Sequence, residues 1–428
     1  MKTIIRGGEV INPSGMQGKL DLLIEHGHIV HMAEQIDTPA DEVVDATGRY
    51  VFPGLVDMHC HLREPGYEYK ETIASGTRAA VAGGFTSVCC MPNTEPVVDD
   101  EAGVRYIRQR AQQAGYAKVY PIAAITKGLQ GNELTEMGYL LAAGAVAFSD
   151  DGRPVESARV MRNAMLYAKN FDALLCSHCE ELSLVNGGVM NEGEASTRVG
   201  LRGNTRAAEE VMLSREILLA ESMDGRVHIC HVSTRQGFEM VRQAKKRGVR
   251  VSCETCPHYF SLTDEACTTF DTNTKINPPL RTEDDRQAAI EALADGTCDV
   301  IATDHAPHHI DDKQVEFDLA ANGASGFETA LSLGYMHLVQ TKRLSMTQLI
   351  DHMSTIPARI MGLDAGILQP GGPADVVVFD PSQTWTVEAD KLYTKGKNTP
   401  WLGQTLQGKV TDVWVDGRPV LRHAALVE

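Results

Sequence analysis

No stretch of this sequence is long and apolar enough to cross a membrane as a helix. The longest apolar run, residues 140–148, is nine residues rich in Ala and Gly, against the ~20 that a span needs. The opening MKTIIRGGEVINPSG lacks the apolar core of ~7 to 15 residues that marks a secretory signal. Basic residues are in short supply: 40 Lys and Arg face 57 Asp and Glu, for a formal net charge of -17. That sign disfavours nucleic acid or an anionic membrane as a partner. Internal repeats and low-complexity tracts are absent. With 43% hydrophobic and 23% charged residues, the disordered and fibrous classes drop out. The ten cysteines do not read as a disulfide framework, because several are adjacent or sit inside apolar runs, as reduced thiols do. A cytoplasmic globular protein is expected.

The 428 residues suit two or three domains, or one large barrel with an appendage. Both ends have the texture of short strands. At the start, 3–5, 22–24 and 29–32 are apolar, with a His26-Gly27 turn; at the end, 374–379 and 410–415 are followed by Asp416-Gly417 and 418–421, a hairpin signal. The middle alternates instead. Apolar runs at 56–61, 85–91, 119–126, 145–149, 174–178, 227–231, 251–254 and 300–304 are mostly separated by helical segments such as 99–114, 155–169, 205–222 and 235–247. Strands apolar throughout and alternating with helices imply a parallel sheet covered by helices. Eight such units predict an α/β fold, a (β/α)8 TIM-type barrel, with an open doubly wound sheet as the alternative. The expected division is a small β-sandwich domain from residues 1–52 and 365–428, and a barrel over 53–364.

In such a barrel, chemistry collects at the carboxyl ends of the strands. The first run ends in Asp57-Met58-His59-Cys60-His61, and the fourth leads into Ser149-Asp150-Asp151-Gly152. The fifth ends at His178, the sixth at His231 and the eighth at Asp304. His59 and His61, two apart on a strand, share a facing. Imidazole and carboxylate donors suit Zn2+, with Mn2+, Fe2+ and Co2+ as substitutes. More donors are present than one catalytic zinc takes, so two metals sharing a bridging carboxylate are favoured over one. Spacing alone leaves Asp150 and Asp151 as alternatives. A second H-x-H, His26-Gly27-His28, lies in a turn without acidic partners and reads as structural.

The pairs Cys176/Cys179 and Cys253/Cys256 each spell C-x-x-C but lie more than 70 residues apart. A zinc ribbon wants its knuckles ~15 to 20 residues apart, so these read as core side chains. Arg63 would share the facing of His61 if the strand persists, offering a fork for a carboxylate; the alternative is an ion pair with Glu64 or Glu68. Asn277 stands beside two prolines that stiffen it, and His305 and His308 follow the last strand. Residues 308–326, with Gly323 and Gly326 near the end, are expected to form a lid.

The segments PGLVDMHCHLREPG, YKETIASGTRAAVAGGFTSVCCMPNT, AFSDDG, INPPLR and ATDHAPH resemble the bacterial type I dihydroorotases of the amidohydrolase superfamily over nearly the whole chain. The resemblance implies the reversible cyclisation of N-carbamoyl-L-aspartate to L-dihydroorotate in pyrimidine synthesis. It implies one zinc on His59, His61 and Asp304, a second on His178 and His231, and Asp151 as the shared ligand. Arg63, Asn93, Asn277 and His308 would contact substrate, with backbone contacts near Asn322 and Gly323. Many relatives carry a carboxylated lysine after the fourth strand; its absence from Phe148-Ser149-Asp150-Asp151 counts against allantoinase, hydantoinase and dihydropyrimidinase. Related sequences often carry a proline within 320–329, and AANGASGFET has none. A homodimer, or association with aspartate carbamoyltransferase, is the partner arrangement such relatives suggest. For amide chemistry at neutral pH, Asp304 is placed to act as general acid and base beside a metal that activates water.

Overall fold

The computed structural model describes residues 2–427. Eight strands run parallel in chain order: Leu55–Cys60, Phe85–Cys90, Lys118–Ala123, Ala147–Ser149, Leu175–Ser177, Val227–Ile229, Val251–Thr255 and Val300–Ile301. Nearly every residue in them is buried, which is why the runs read as apolar rather than alternating. The sheet closes on itself. A parallel bridge joins Cys60 to His305, and the His61 N–H donates to the His305 carbonyl at 2.8 Å. Just below, the buried Asp57 carboxylate accepts from the Thr303 N–H at 2.9 Å and from its hydroxyl at 2.6 Å, tying first strand to last.

Helices Glu101–Ala114, Ala158–Ala168 and Arg235–Lys246 begin where Asp100, Ser157 and Thr234 cap their first N–H groups. Such short oxygen-bearing side chains satisfy donors a helix leaves open. The first two start two and three residues after the apolar pattern suggests, because the cap itself is not helical, and the third starts at Arg235 as expected. Helix Ala207–Met223 completes the set expected from periodicity.

The two termini meet in one nine-stranded sheet. Tyr50–Pro53 pairs antiparallel with Val376–Thr386, which pairs with Thr405–Val415. Alternation gives this sheet two cores. Val376, Val378 and Trp414 pack with Ile5, Leu22 and Ile24, while Val377, Phe379 and Val413 join Phe52 and Phe85 in the core that runs on into the barrel. The small β domain expected from both termini is this sheet, with side chains packed on both of its faces. Its hairpin turns, His26-Gly27 and Asp416-Gly417, all have positive φ, the conformation that tight hairpins need. A Cβ on Gly417 would come within 2.8 Å of the Gly27 backbone, so this approach requires glycine.

Helix Phe327–Gly334 sits between barrel and sheet, with Ser332 donating to the Gly408 carbonyl at 2.7 Å. On it, Glu328 Oε1 accepts from the N–H groups of Tyr393 and Thr394 at 2.9 and 3.1 Å. Burial pushes this carboxyl up to about 7, against the pull of those two donors and of Lys409 and Lys397. A carboxyl raised in the folded state holds its proton longer than in the unfolded chain, so stability falls as pH rises from about 4.5 to about 7. Gln at this position can keep both hydrogen bonds through one oxygen. Glu328→Gln is therefore expected to match the parent at pH 4.5 and to exceed it by about 3 kcal/mol at pH 8, read from urea denaturation at both pH values.

Candidate metal and substrate site

The carboxyl ends of the strands converge on Asp151. Its Oδ1 lies 3.4 Å from His59 Nε2 and 3.6 Å from both His178 Nδ1 and His231 Nε2, and its Oδ2 lies 3.5 Å from His61 Nε2. Asp304 Oδ1 closes the group at 3.2 Å from His61 Nε2 and 3.6 Å from His59 Nε2. His178 Nδ1 and His231 Nε2 are 2.8 Å apart. All six side chains are buried. Burial disfavours a charged Asp151, but His59, His178 and His231 outweigh it and hold the carboxyl well below its usual range. Burial likewise works against Asp304, and the hydrogen bond from His61 with the fields of His59 and His231 leaves it lowered.

Whether this arrangement suits a metal can be tested on the atoms left over. His59 Nε2 and Asp151 Oδ1 are buried without a hydrogen bond, which is costly unless something else binds them. Of four donor trios with the spacing of a metal site among the described residues, two, His59–His61–Asp151 and Asp151–His178–His231, share Asp151. The donor chemistry fits a metal cofactor.

Backbone strain does part of the aiming. His61, Arg63, His178, His231 and Asp304 lie beyond their strands, and three of them take positive φ: Arg63 at 61°, His231 at 35° and Asp304 at 45°. For residues other than glycine this region costs of order 1–3 kcal/mol each. The first strand does not persist to Arg63, as it stops at Cys60; a left-handed turn aims that side chain instead. Of the two neighbouring aspartates, Asp150 turns away: its Oδ1 accepts from the N–H groups of Ile125 and Thr126 at 2.8 and 3.0 Å. Burial raises it to about 6 against those bonds. Asp151 is the one that faces the imidazoles.

Above this cluster lies a cavity of about 210 Å3. Every residue expected at the site lines it except His59, which is fully buried beneath. Arg63 Nε donates to the Pro307 carbonyl at 3.1 Å and reaches His308, while Glu64 pairs with Arg110. The alternative of an Arg63–Glu64 ion pair is thus not realised. Asn93 Oδ1 meets His61 Nδ1 at 2.9 Å, and Asn277 Nδ2 donates to Glu180 Oε2 at 3.2 Å, leaving its own oxygen free. His308 Nδ1 is 3.2 Å from the Lys70 ammonium, and its Nε2 is 2.8 Å from the Asn322 carbonyl. Burial, with Arg63, Lys70 and Lys313 close by, pulls His308 down to about 2. It is a neutral imidazole whose Nδ1 accepts from Lys70 and whose Nε2–H donates to Asn322. Residues 308–326 contribute Asn322 and Gly323 to the wall. A Cβ on Gly323 would lie 2.6 Å from the Ala306 Cβ, so only glycine fits there. His26 is exposed in its hairpin, and all ten cysteines are free and buried.

The sequence reading missed the residues behind the site. Glu254 Oε1 meets His59 Nδ1 at 2.6 Å and accepts from the His231 N–H at 3.2 Å; Oε2 meets His228 Nε2 at 3.1 Å. Despite complete burial, His59 and His228 hold this carboxyl far below its usual range. Glu180 Oε2 lies 3.3 Å from His178 Nε2. Their signal was present: an acidic residue inside or directly after a fully apolar run seldom lacks a partner.

Together, these features define a (β/α)8 barrel with a buried donor cluster suited to a metal cofactor at its strand ends. The Dihydro-orotase-like family matches residues 48–237, and the Amidohydrolase family matches 220–421. A dihydroorotase of Pelobacter propionicus is 53% identical over 99% of this chain and 100% of its own length. That of Acetivibrio thermocellus is 51% identical over the same shares. Among solved structures, the L-hydantoinase (dihydropyrimidinase) of Arthrobacter aurescens superposes with a TM-score of 0.90 at 23% identity, covering 100% of this chain and 97% of that one. The likeness to the hydantoinase is one of fold. The chain belongs to the dihydroorotase family.

Glu254→Gln keeps the shape of the His59 contact but removes the charge that makes His59 a strong donor. It is expected to weaken metal retention 10- to 100-fold with unchanged circular dichroism, measured by elemental analysis after dialysis against graded chelator.

Proposed function

We propose that this chain is a cytoplasmic dihydroorotase that interconverts N-carbamoyl-L-aspartate and L-dihydroorotate, using two zinc ions. The observation that carries the reading is the Asp151-centred donor cluster beneath a pocket walled by Arg63, Asn93, Asn277 and His308. The chain's 51% and 53% identity to dihydroorotases over nearly all its length points the same way. In this reading His59, His61 and Asp304 would hold one ion, His178 and His231 the other, with Asp151 as the ligand common to both donor sets. A metal in this site supplies Lewis-acid polarisation and a water whose pKa drops from 15.7 to about 7.

The protein's own groups do the rest. Arg63, always protonated, offers parallel N–H groups to the substrate carboxylate. The free oxygen of Asn277 accepts from a ring N–H, and the Asn93 side chain and the Asn322–Gly323 backbone fix the ring against the far wall. Asp304, held ionised by the imidazoles around it, takes the proton from the attacking water. It returns that proton to the ring nitrogen as the carbon–nitrogen bond breaks. In the cyclisation direction the amide nitrogen attacks the protonated side-chain carboxyl, Asp304 accepts the nitrogen's proton and passes it to the departing hydroxyl, which leaves as water.

Asp304→Asn is expected to fold yet lose at least ~100-fold in rate in both directions. Arg63→Met should raise KM far more than it lowers kcat. Both are checked by following dihydroorotate absorbance with and without chelator, with hydantoin and dihydrouracil as competing substrates. Near-parental activity in Asp304→Asn, or a preference for either competitor, would overturn the proposal.

A further inference from the structure

Two lysines beside the pocket are buried without a carboxylate partner among the described residues. Lys313 is 4% exposed and Lys275 is 5% exposed, a placement lysine rarely takes unpaired. Lys313 ends the short helix Ile310–Lys313, and its ammonium donates to three carbonyls. Those of Thr272 at 2.9 Å and Lys275 at 3.4 Å belong to the loop that leads into Asn277; that of Ala321 at 2.7 Å directly precedes Asn322. Lys275 crosses the other way, donating to the Asp318 carbonyl at 2.9 Å. Two further bonds complete the seam: Thr272 Oγ1 to the Lys313 carbonyl at 2.6 Å, and the Gly323 N–H to the Lys275 carbonyl at 2.9 Å.

The seam therefore joins two segments that come from different parts of the chain and carry opposite pieces of the pocket wall. One brings Asn277; the other brings Asn322 and Gly323, with His308 held to the Asn322 carbonyl. We propose that Lys313 and Lys275 are positioning residues that fix the spacing between these two segments and thereby set affinity for the substrate. This deepens the reading of the pocket as a dihydroorotate site and rests on it. Lysine is suited to the task because one ammonium has three donors and can satisfy several carbonyls at once. An apolar side chain of the same length in place of Lys313 would fill the space without the burial cost but leave the Ala321 carbonyl unpaired, and the Thr272 and Lys275 carbonyls with only their backbone donors. Burial, with the neighbouring Lys275 next, pulls Lys313 down to about 7, as expected of a cation held by carbonyl dipoles rather than by a counter-charge.

The test uses the metal-loaded full chain. Lys313→Met and Lys275→Met are each expected to raise KM for dihydroorotate about tenfold while kcat stays within about threefold, with metal content unchanged. Hydrogen exchange should quicken at the Gly323 amide and through residues 272–277, and Lys313→Gln, which keeps two donors, should recover part of both effects. Because the lysines share one seam, the double variant should raise KM by less than the product of the single effects. An unchanged KM with unchanged exchange would overturn the proposal. So would a kcat that falls as steeply as KM rises, with lost metal or lowered Tm, because that is the signature of a general structural role. If Lys313→Met does not fold, Lys313→Gln and Lys275→Met decide by the same criteria. If the parent chain fails to turn over dihydroorotate, the functional reading fails, while the exchange measurements still decide whether the lysines tie the two segments.

Discussion

The structure is organised around one buried carboxylate that has more imidazole neighbours than it can satisfy. Asp151 lies within 3.6 Å of nitrogens from four histidines, delivered by the ends of three barrel strands. Without a shared positive partner, the charged oxygens and ring nitrogens would be stranded in a place water scarcely reaches. A bound cation resolves that conflict, and the surroundings make sense as devices for holding the conflict in place. Glu254 orients His59 and steadies the His231 backbone. Glu180 backs His178 and also holds Asn277. Positive φ at His231 and Asp304 is strain that the barrel holds in order to aim those two groups.

Closure of the barrel connects this cluster with substrate recognition. Asp57 and Thr303 tie the first strand to the last below the site, and the Cys60–His305 bridge does so above it. The same closure brings residues 59–63 against 304–308. His59, His61 and Arg63 therefore come from one strand end, and Asp304 and His308 from the strand end paired with it. A shift in that seam would move His59, His61 and Asp304 together with Arg63 and His308, which keeps their separation constant. The Asn277 and Asn322–Gly323 segments have no such strand pairing with each other. Their mutual position depends on side-chain and backbone bonds across the loop seam, above all those of Lys313 and Lys275.

Legibility in the sequence follows this division. The eight strands were readable because both faces of each are buried, leaving unbroken apolar runs, and the strand-end histidines were readable because polar residues punctuate those runs. Asp150 and Asp151 were not separable, since adjacent residues at a strand end differ in facing by a local turn that no spacing rule specifies. Arg63 was found for an incomplete reason: it faces the pocket through a left-handed backbone, not through a continued strand. Glu254 and Asp57 are hard to read because each lies inside an apolar run, where the strand pattern hides that a buried carboxylate needs a partner. Lys275 and Lys313 left no signal at all. Their partners are backbone carbonyls, which every sequence has everywhere, so only the folded chain shows which ones they reach.

The net charge of -17 and an anionic substrate are compatible for a related reason. Acidic side chains are spread over the surface, where solvent and salt screen them within about 10 Å. At the pocket wall Arg63, Lys70 and Lys313 gather around His308, with Asp312 paired to Lys70 at 3.2 Å, and burial first and these cations second lower the imidazole pKa. A neutral imidazole there can donate to the Asn322 carbonyl without adding a charge, while the guanidinium stays free of any competing carboxylate. The field a small dicarboxylate meets is set by these few buried cations and by whatever Asp151 and the histidines hold, not by the sum over the chain. An acidic protein can in this way repel polyanions at its surface and still draw a small anion into its core.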